Sequence, residues 1–246
     1  MVLVEPQLGE NIGMCARAML NCGLDRLRLV RPRDGWPNPA ALATAADADA
    51  VLEGAEVFAT LDEAIADCHH VVATTSRSRA LAVPVESAES SARQVVDWGR
   101  GGARVAVLFG AEASGLDTPS VARAERILRF DTNAEFPSLN LAQSVLLFGW
   151  EWRRASVAER VVGDEVLPVL KGDLSRFLER LVSSLERRDF FLTPELRPTT
   201  EAVLRNFFHR SAPREREMAL LHGILTALTR EPRRQGDPDP GHESAS

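Results

Sequence analysis

Val105-Ala106-Val107-Leu108-Phe109-Gly110-Ala111-Glu112-Ala113-Ser114-Gly115-Leu116 is the stretch that decides the fold of this chain. Five consecutive apolar residues run into a glycine and then a polar turn. A strand without polar alternation is buried on both faces, as a central parallel strand is. Gly110 and Gly115 bracket a turn whose backbone N–H and C=O groups stay available to a ligand. Working outward from 104–109, apolar runs at 2–5, 27–31, 56–59, 70–74 and 126–130 read as further strands. Helical patterns near 11–22, 39–52, 61–67, 86–98, 118–124 and 139–155 separate or follow them. Such β-α alternation predicts an α/β fold with a mainly parallel sheet covered on both faces.

Two other stretches share the position of Gly110-Ala111-Glu112, where a strand hands over to a turn or helix. One is Asn11-Ile12-Gly13 with Arg17; the other is Pro137-Ser138-Leu139-Asn140-Leu141-Ala142-Gln143-Ser144. Open α/β sheets bind ligands at that end of their strands. Asn11 suits the N-cap of the first helix, and Ser138 suits the N-cap of the long apolar one. Gly13 permits a close approach of backbone or ligand. Arg17, a turn or so along the helix, projects from the same end. Glu112 is able to accept from an amine or from the backbone donors of its own loop.

The composition excludes several classes. With 246 residues, 45% hydrophobic and 26% charged, the chain has room for one catalytic domain and a smaller appendage. No apolar run approaches the ~20 residues of a membrane span. Met1–Pro6 lacks the features of a secretion signal, so a cytoplasmic location is expected. Cys15, Cys22 and Cys68 include no Cys-x-x-Cys pair and read as buried small hydrophobes, not disulfide partners or zinc ligands. His69-His70 lacks a third ligand nearby and reads as structural, so no metal is expected. The net charge of −6 does not advertise a nucleic-acid binder, although a local basic surface suffices for one. Arg17, Arg26, Arg28, Arg31, Arg33, Arg77 and Arg79 are candidates for phosphate contacts. Only one of the 29 basic residues, Lys171, is a lysine.

After Arg154 the pattern changes. Residues 156–169 read as a linker, and 170–230 as a small all-helical unit. Its first helix carries the stripe Leu174, Phe177, Leu178, Leu181, Leu185, and further helices fall near 199–209 and 213–230. Residues 231–246, with Pro232, Gly236, Pro238, Pro240 and Gly241, have no core-forming side chains and read as a disordered tail.

The order and spacing of the three motifs resemble those of the SPOUT superfamily of RNA ribose 2′-O-methyltransferases, and residues 1–155 look like its methyltransferase domain. Asp189-Phe190-Phe191 and Leu221-His222-Gly223-Ile224-Leu225-Thr226 resemble the C-terminal region of TrmJ-type enzymes. Those methylate cytidine or uridine at nucleotide 32, the first position of the tRNA anticodon loop. The resemblance implies an α/β knot, with the segment from about 110 to 145 threaded into a deep trefoil, a rare exception to the usual connection rules. It implies S-adenosylmethionine as methyl donor and S-adenosylhomocysteine as product. By position, Thr74, Thr75, Ser76, Gly110, Glu112, Gly115, Phe130, Pro137, Ser138 and Leu139 would bind the cofactor. Arg17, Asn11, Ser138 and Asn140 would serve catalysis. It implies a homodimer through the knot helices, with Arg17 of one subunit beside the cofactor of the other.

This chain departs from the family pattern at Ala111 and His222, where arginine is common, and at Pro137, where serine is. These differences bear on substrate preference. The alternatives are ribosomal RNA as substrate, a non-catalytic RNA-binding relative, and an unrelated α/β nucleotide-binding enzyme. The last is disfavoured, because neither Gly-x-x-x-x-Gly-Lys-Ser/Thr nor a Gly-x-Gly-x-x-Gly after the first strand occurs.

Overall fold

The computed structural model describes residues 1–75, 83–158, 167–191, 193 and 195–230. Its strands are β1 (Val2–Val4), β2 (Arg28–Val30), β3 (Glu56–Phe58), β4 (His70–Thr74), β5 (Val85–Ser87), β6 (Val105–Phe109) and β7 (Arg126–Arg129). They form one sheet in the order β3-β2-β1-β6-β4-β7-β5, and every neighbouring pair is parallel. The helices are α1 (Gly9–Asn21), α2 (Pro39–Ala45), α3 (Asp49–Glu53), α4 (Leu61–Ile65), α5 (Ala88–Arg100), α6 (Thr118–Ala122), α7 (Leu141–Val157), α8 (Lys171–Glu186), α9 (Arg197–Ser211) and α10 (Glu215–Thr229).

Strand period two sorts the apolar residues into two cores. Leu3, Val72, Val107, Phe109 and Leu128 face α1, α2, α3, α5 and α7. Val2, Val4, Val71, Ala73, Ala106, Leu108 and Ile127 face α4 and α6. The unbroken apolar run of β6 is thus required by both layers at once. Strands β1 to β3 build outward on one side, and the chain then crosses over to build the other side. The direction reverses between β1 and β6, and a crevice opens at their C-terminal ends.

Three local expectations are corrected. The helix over 39–52 is two helices, broken where Ala46 and Asp47 take positive φ. The helix over 86–98 begins only at Ala88, because Val85–Ser87 pairs with β7 as an edge strand too short for its alternation to stand out. Neither Asn11 nor Ser138 is an N-cap: α1 starts after Leu8, and α7 is capped by the side chain of Asn140. Of the 156–169 segment, 159–166 lies outside the described residues, as does the 231–246 tail, while α7 extends to Val157.

Helices α8 to α10 share a small core of Leu174, Phe177, Leu178, Met218 and Leu225, with Leu181 half-buried beside it. This unit rests on the underside of the sheet's helical layer. Gly172 N donates to Ala66 O at 2.9 Å, and Asn206 Nδ2 donates to Ala124 O at 3.4 Å. Between the two units lies Lys171, 1% exposed, whose ammonium donates to Glu125 Oε2 at 3.3 Å. Glu125 also meets His70 Nδ1 at 2.7 Å and accepts from Val71 N at 3.2 Å. The His70 ring stacks on Trp98 with centroids 3.9 Å apart, so it is structural as expected. Burial alone would raise the Glu125 carboxyl, but Lys171 and His70 outweigh it and hold it below its ordinary value.

That carboxyl titrates below its unfolded value, so its share of stability is present at neutral pH and is lost as pH falls through the carboxylate range. Lys171→Met strands a buried carboxylate and should cost about 3–5 kcal/mol in urea unfolding. Adding Glu125→Gln should recover most of that loss.

Candidate functional site

The crevice beyond the C-terminal ends of β4, β6 and β7 is walled by three segments. Thr74 and Thr75 come from β4, Phe109 to Leu116 from the turn after β6, and Phe130, Pro137, Ser138, Leu139, Leu141 and Ser144 from the approach to α7. Much of the wall is backbone. The turn after β6 is tight: a Cβ on Gly110 would stand 2.1 Å from Leu116 N, so that position accepts only glycine. Gly115 takes φ +65° and closes a bridge back to Ala111, which is buried.

One hydrogen-bond chain joins the three sequence motifs. Glu112 accepts from Gln7 N at 2.8 Å, from Leu8 N at 3.2 Å and from Asn11 Nδ2 at 2.8 Å. Asn11 Oδ1 accepts from Asn140 Nδ2 at 3.0 Å. Asn140 Oδ1 in turn accepts from Ala142 N at 2.8 Å and Gln143 N at 3.4 Å, and Gln143 Oε1 accepts from Asn140 N at 3.1 Å. Glu112 thereby anchors the two residues that lead into α1, from more than a hundred residues away. Asn11, 4% exposed, is the joint between the two, with one donor and one acceptor both used.

The structure brings most of the expected residues together. Thr74, Thr75, Gly110, Glu112, Gly115, Phe130, Pro137, Ser138 and Leu139 all line the one cleft; Ser76 lies outside the described residues. Thr74 Oγ1 is occupied by Leu108 O at 2.8 Å and ties β4 to β6. Ser138 is exposed, and its hydroxyl makes no hydrogen bond among the described residues. Asn11 and Asn140 stand just behind the cleft and hold its walls. Arg17 does not line it: six residues past Asn11, it lies about 9 Å further along the α1 axis, exposed and without an ion pair among the described residues.

The expected cofactor-binding positions left out Phe109, Ala111, Ala113, Ser114 and Leu116 around the turn, and Leu141 and Ser144 at the start of α7. Ser144 sits one turn after Asn140, and its hydroxyl donates to Asn140 O at 3.2 Å, so i, i+4 spacing from the cap was the available signal.

Several candidate phosphate-binding arginines are already engaged. Arg28 pairs with Asp67, donating to Oδ2 at 2.8 Å, and pulls that carboxyl down to about 2. Arg31 pairs with Glu5 and Arg33 with Asp34. Arg26 is exposed, and Arg77 and Arg79 lie outside the described residues. Cys15, Cys22 and Cys68 are free and buried. Burial pushes all three thiols up, so none is a nucleophile.

The cleft's lining has one charged side chain among the described residues, the carboxylate of Glu112, and no cation. A site for a nucleoside triphosphate would need the reverse. A ligand with apolar and hydrogen-bonding parts and positive charge suits it.

Parallel sheet, switch-point crevice and glycine-bounded turn define an α/β enzyme fold that binds a small ligand at the strand ends. Residues 1–150 match the family described as SpoU rRNA Methylase, and the chain belongs to that family. It is 34% identical to the tRNA (cytidine/uridine-2′-O-)-methyltransferase TrmJ of Sodalis glossinidius, over 98% of this chain and 95% of the relative. It is 36% identical to the enzyme of the same description from Escherichia coli O6:K15:H31, over 92% and 93% of the two chains. The crystal structure of TrmJ from Z. mobilis ZM4 superposes with a TM-score of 0.86 at 42% identity, covering 93% of this chain and 98% of that one.

Asn11→Asp keeps the acceptor towards Asn140 but sets a second carboxylate against Glu112. It should cost about 1–3 kcal/mol at neutral pH in chemical denaturation. The cost should shrink on acidification, as one of the two carboxyls takes up a proton.

Proposed function

We propose that this chain is an S-adenosylmethionine-dependent methyltransferase acting on the ribose 2′-hydroxyl of cytidine or uridine at nucleotide 32 of tRNA, as a cytoplasmic homodimer. The observation that carries the reading is the cleft in which the three motifs meet: backbone-rich, apolar at Phe130 and Leu139, with a carboxylate and no cation among its described lining residues. That lining fits a cationic sulfonium bearing a nucleoside. Bound there, S-adenosylmethionine supplies an electrophilic methyl group for in-line attack by a ribose oxygen. Family membership supports the chemistry, and the full-length likeness to TrmJ-type relatives supports tRNA as substrate. The family match ends at residue 150, so the preference for tRNA over ribosomal RNA rests on α8 to α10.

The protein's residues orient the hydroxyl for attack, and its proton is released to solvent as the oxygen takes the methyl group. Ser138, whose hydroxyl makes no hydrogen bond among the described residues, is placed to meet the ribose. Asn11 and Asn140 are positioning residues: their polar atoms are spent on holding α1 and α7 against the Glu112 turn. A guanidinium is a donor and not a base, so Arg17 serves by binding a backbone phosphate and stabilising developing alkoxide charge. It acts on the cleft of a second copy. Met14 and Leu20, which flank it on α1, and Leu146, Leu147 and Trp150 on the adjoining α7 are 39–58% exposed. This apolar face gains from burial against another subunit. The chain from Gly110 into α7 is proposed to be knotted. No helix among the described residues is long and apolar enough to cross a membrane.

Methyl transfer from labelled S-adenosylmethionine into total tRNA and, separately, ribosomal RNA tests the reading, followed by nucleoside analysis. Ribose-methylated pyrimidine from tRNA is expected. Label in ribosomal RNA alone would keep the chemistry and overturn the substrate; label in neither would overturn both. Arg17→Ala should cut kcat by about a hundredfold or more, while S-adenosylhomocysteine affinity stays within a few fold. Unreduced turnover would remove Arg17 from the mechanism.

A further inference from the structure

The loop between β7 and α7 carries an aromatic ring that the fold does not bury. Phe136 is 76% exposed, more than any other large apolar side chain among the described residues. Its backbone is nevertheless fixed. Phe136 N donates to Asn133 O at 2.9 Å, Glu135 N donates to Asn133 Oδ1 at 3.0 Å, and Thr132 Oγ1 donates to Pro137 O at 3.3 Å. The following proline restricts Phe136 to extended backbone. The ring therefore stands on a stiff turn. Pro137 and Ser138 line the cleft and Phe136 directly precedes them, so it stands within about 7 Å of chain from that lining.

On the other side of the same loop is Arg129, the last residue of β7. It is half-buried, its side chain makes no hydrogen bond or ion pair among the described residues, and its Nε is buried without a partner. It faces a cavity of about 370 Å³ that shares Phe130 and Pro137 with the cleft. Of the carboxylates there, Glu86 is neutralised by Arg126, and Asp131 is turned out to water. A guanidinium partly withdrawn from water and left unpaired is held at a cost that an anion would relieve.

We propose that Phe136 and Arg129 form a nucleotide subsite beside the methyl-transfer cleft. The ring stacks on the base of the nucleotide being methylated, and the guanidinium takes a phosphate of the same strand. This inference rests on the reading of the chain as an RNA ribose methyltransferase. Unpaired RNA is recognised by bases splayed onto aromatic rings, with cations along the backbone. Stacking uses the face that every base has, so this subsite fixes where the base lies without choosing cytidine or uridine.

The test compares wild type with Phe136→Ala, Phe136→Leu, Phe136→Trp and Arg129→Gln, using the RNA that the wild type methylates. Phe136→Ala and Phe136→Leu should raise KM for RNA about tenfold or more. Phe136→Trp should keep KM near wild type, and S-adenosylhomocysteine affinity and oligomeric state should hold in all four. Arg129→Gln should lower the salt dependence of RNA binding by about one counterion. Leu matching Trp would make the role apolar packing and overturn the proposal. So would unchanged KM in Phe136→Ala, an unchanged salt slope in Arg129→Gln, or loss of the dimer or of cofactor affinity. A wild type that methylates no RNA is seen before any variant is compared, and overturns the underlying function instead.

Discussion

The site depends on one carboxylate, that of Glu112, and on the side-chain amide that carries its influence onward. The turn after β6 cannot bind anything in a defined way unless the starts of α1 and α7 are fixed relative to it. Glu112 fixes the first through two backbone N–H groups and Asn11. Asn11 fixes the second through Asn140, whose Nδ2 donates to Asn11 Oδ1 while its own Oδ1 caps α7. Asn11 is withdrawn from water, so leaving its amide unpaired is costly. The same arrangement engages both the Nδ2 and the Oδ1 of Asn11 and of Asn140.

How much of this was legible in the sequence follows from how local each signal is. The apolar run of β6 declares a central parallel strand by itself, and β-α alternation leads to the two-faced sheet. The cap of α1 was not legible. Asn11 has the composition of an N-cap, yet the helix starts two residues earlier, and the entry to it, Gln7 and Leu8, is held by Glu112, distant in sequence. Asn140, not Ser138, caps α7, since the chain is still in its cleft-lining loop at Ser138. The clustering of arginines near the motifs was legible, but not that Arg28 and Arg31 face carboxylates distant in sequence, whereas Arg33 pairs with its neighbour Asp34. Charge pairing across strands is a property of the fold.

Lys171 shows the same limit from the other side. A single lysine among 29 basic residues is a compositional oddity with no evident reading. In the fold it is buried against Glu125 at the junction of the helical unit and the sheet. A slender ammonium reaches there where a broad guanidinium would have to find room and partners for five donors. The helical unit is thereby tied to the N-terminal ends of β4 and β7, while the cleft lies at the opposite ends of the strands. Any part that α8 to α10 play in substrate choice is therefore exercised from across the sheet or around its edge.

The central claim is that the three motifs work as one unit through Asn11. A double-mutant cycle in urea unfolding between Glu112→Ala and Asn140→Ala tests it, because these two side chains do not touch each other. The account predicts a coupling of about 1 kcal/mol or more that disappears when Asn11→Ala is already present. Effects that add to within about 0.5 kcal/mol, with Asn11 intact, would contradict it.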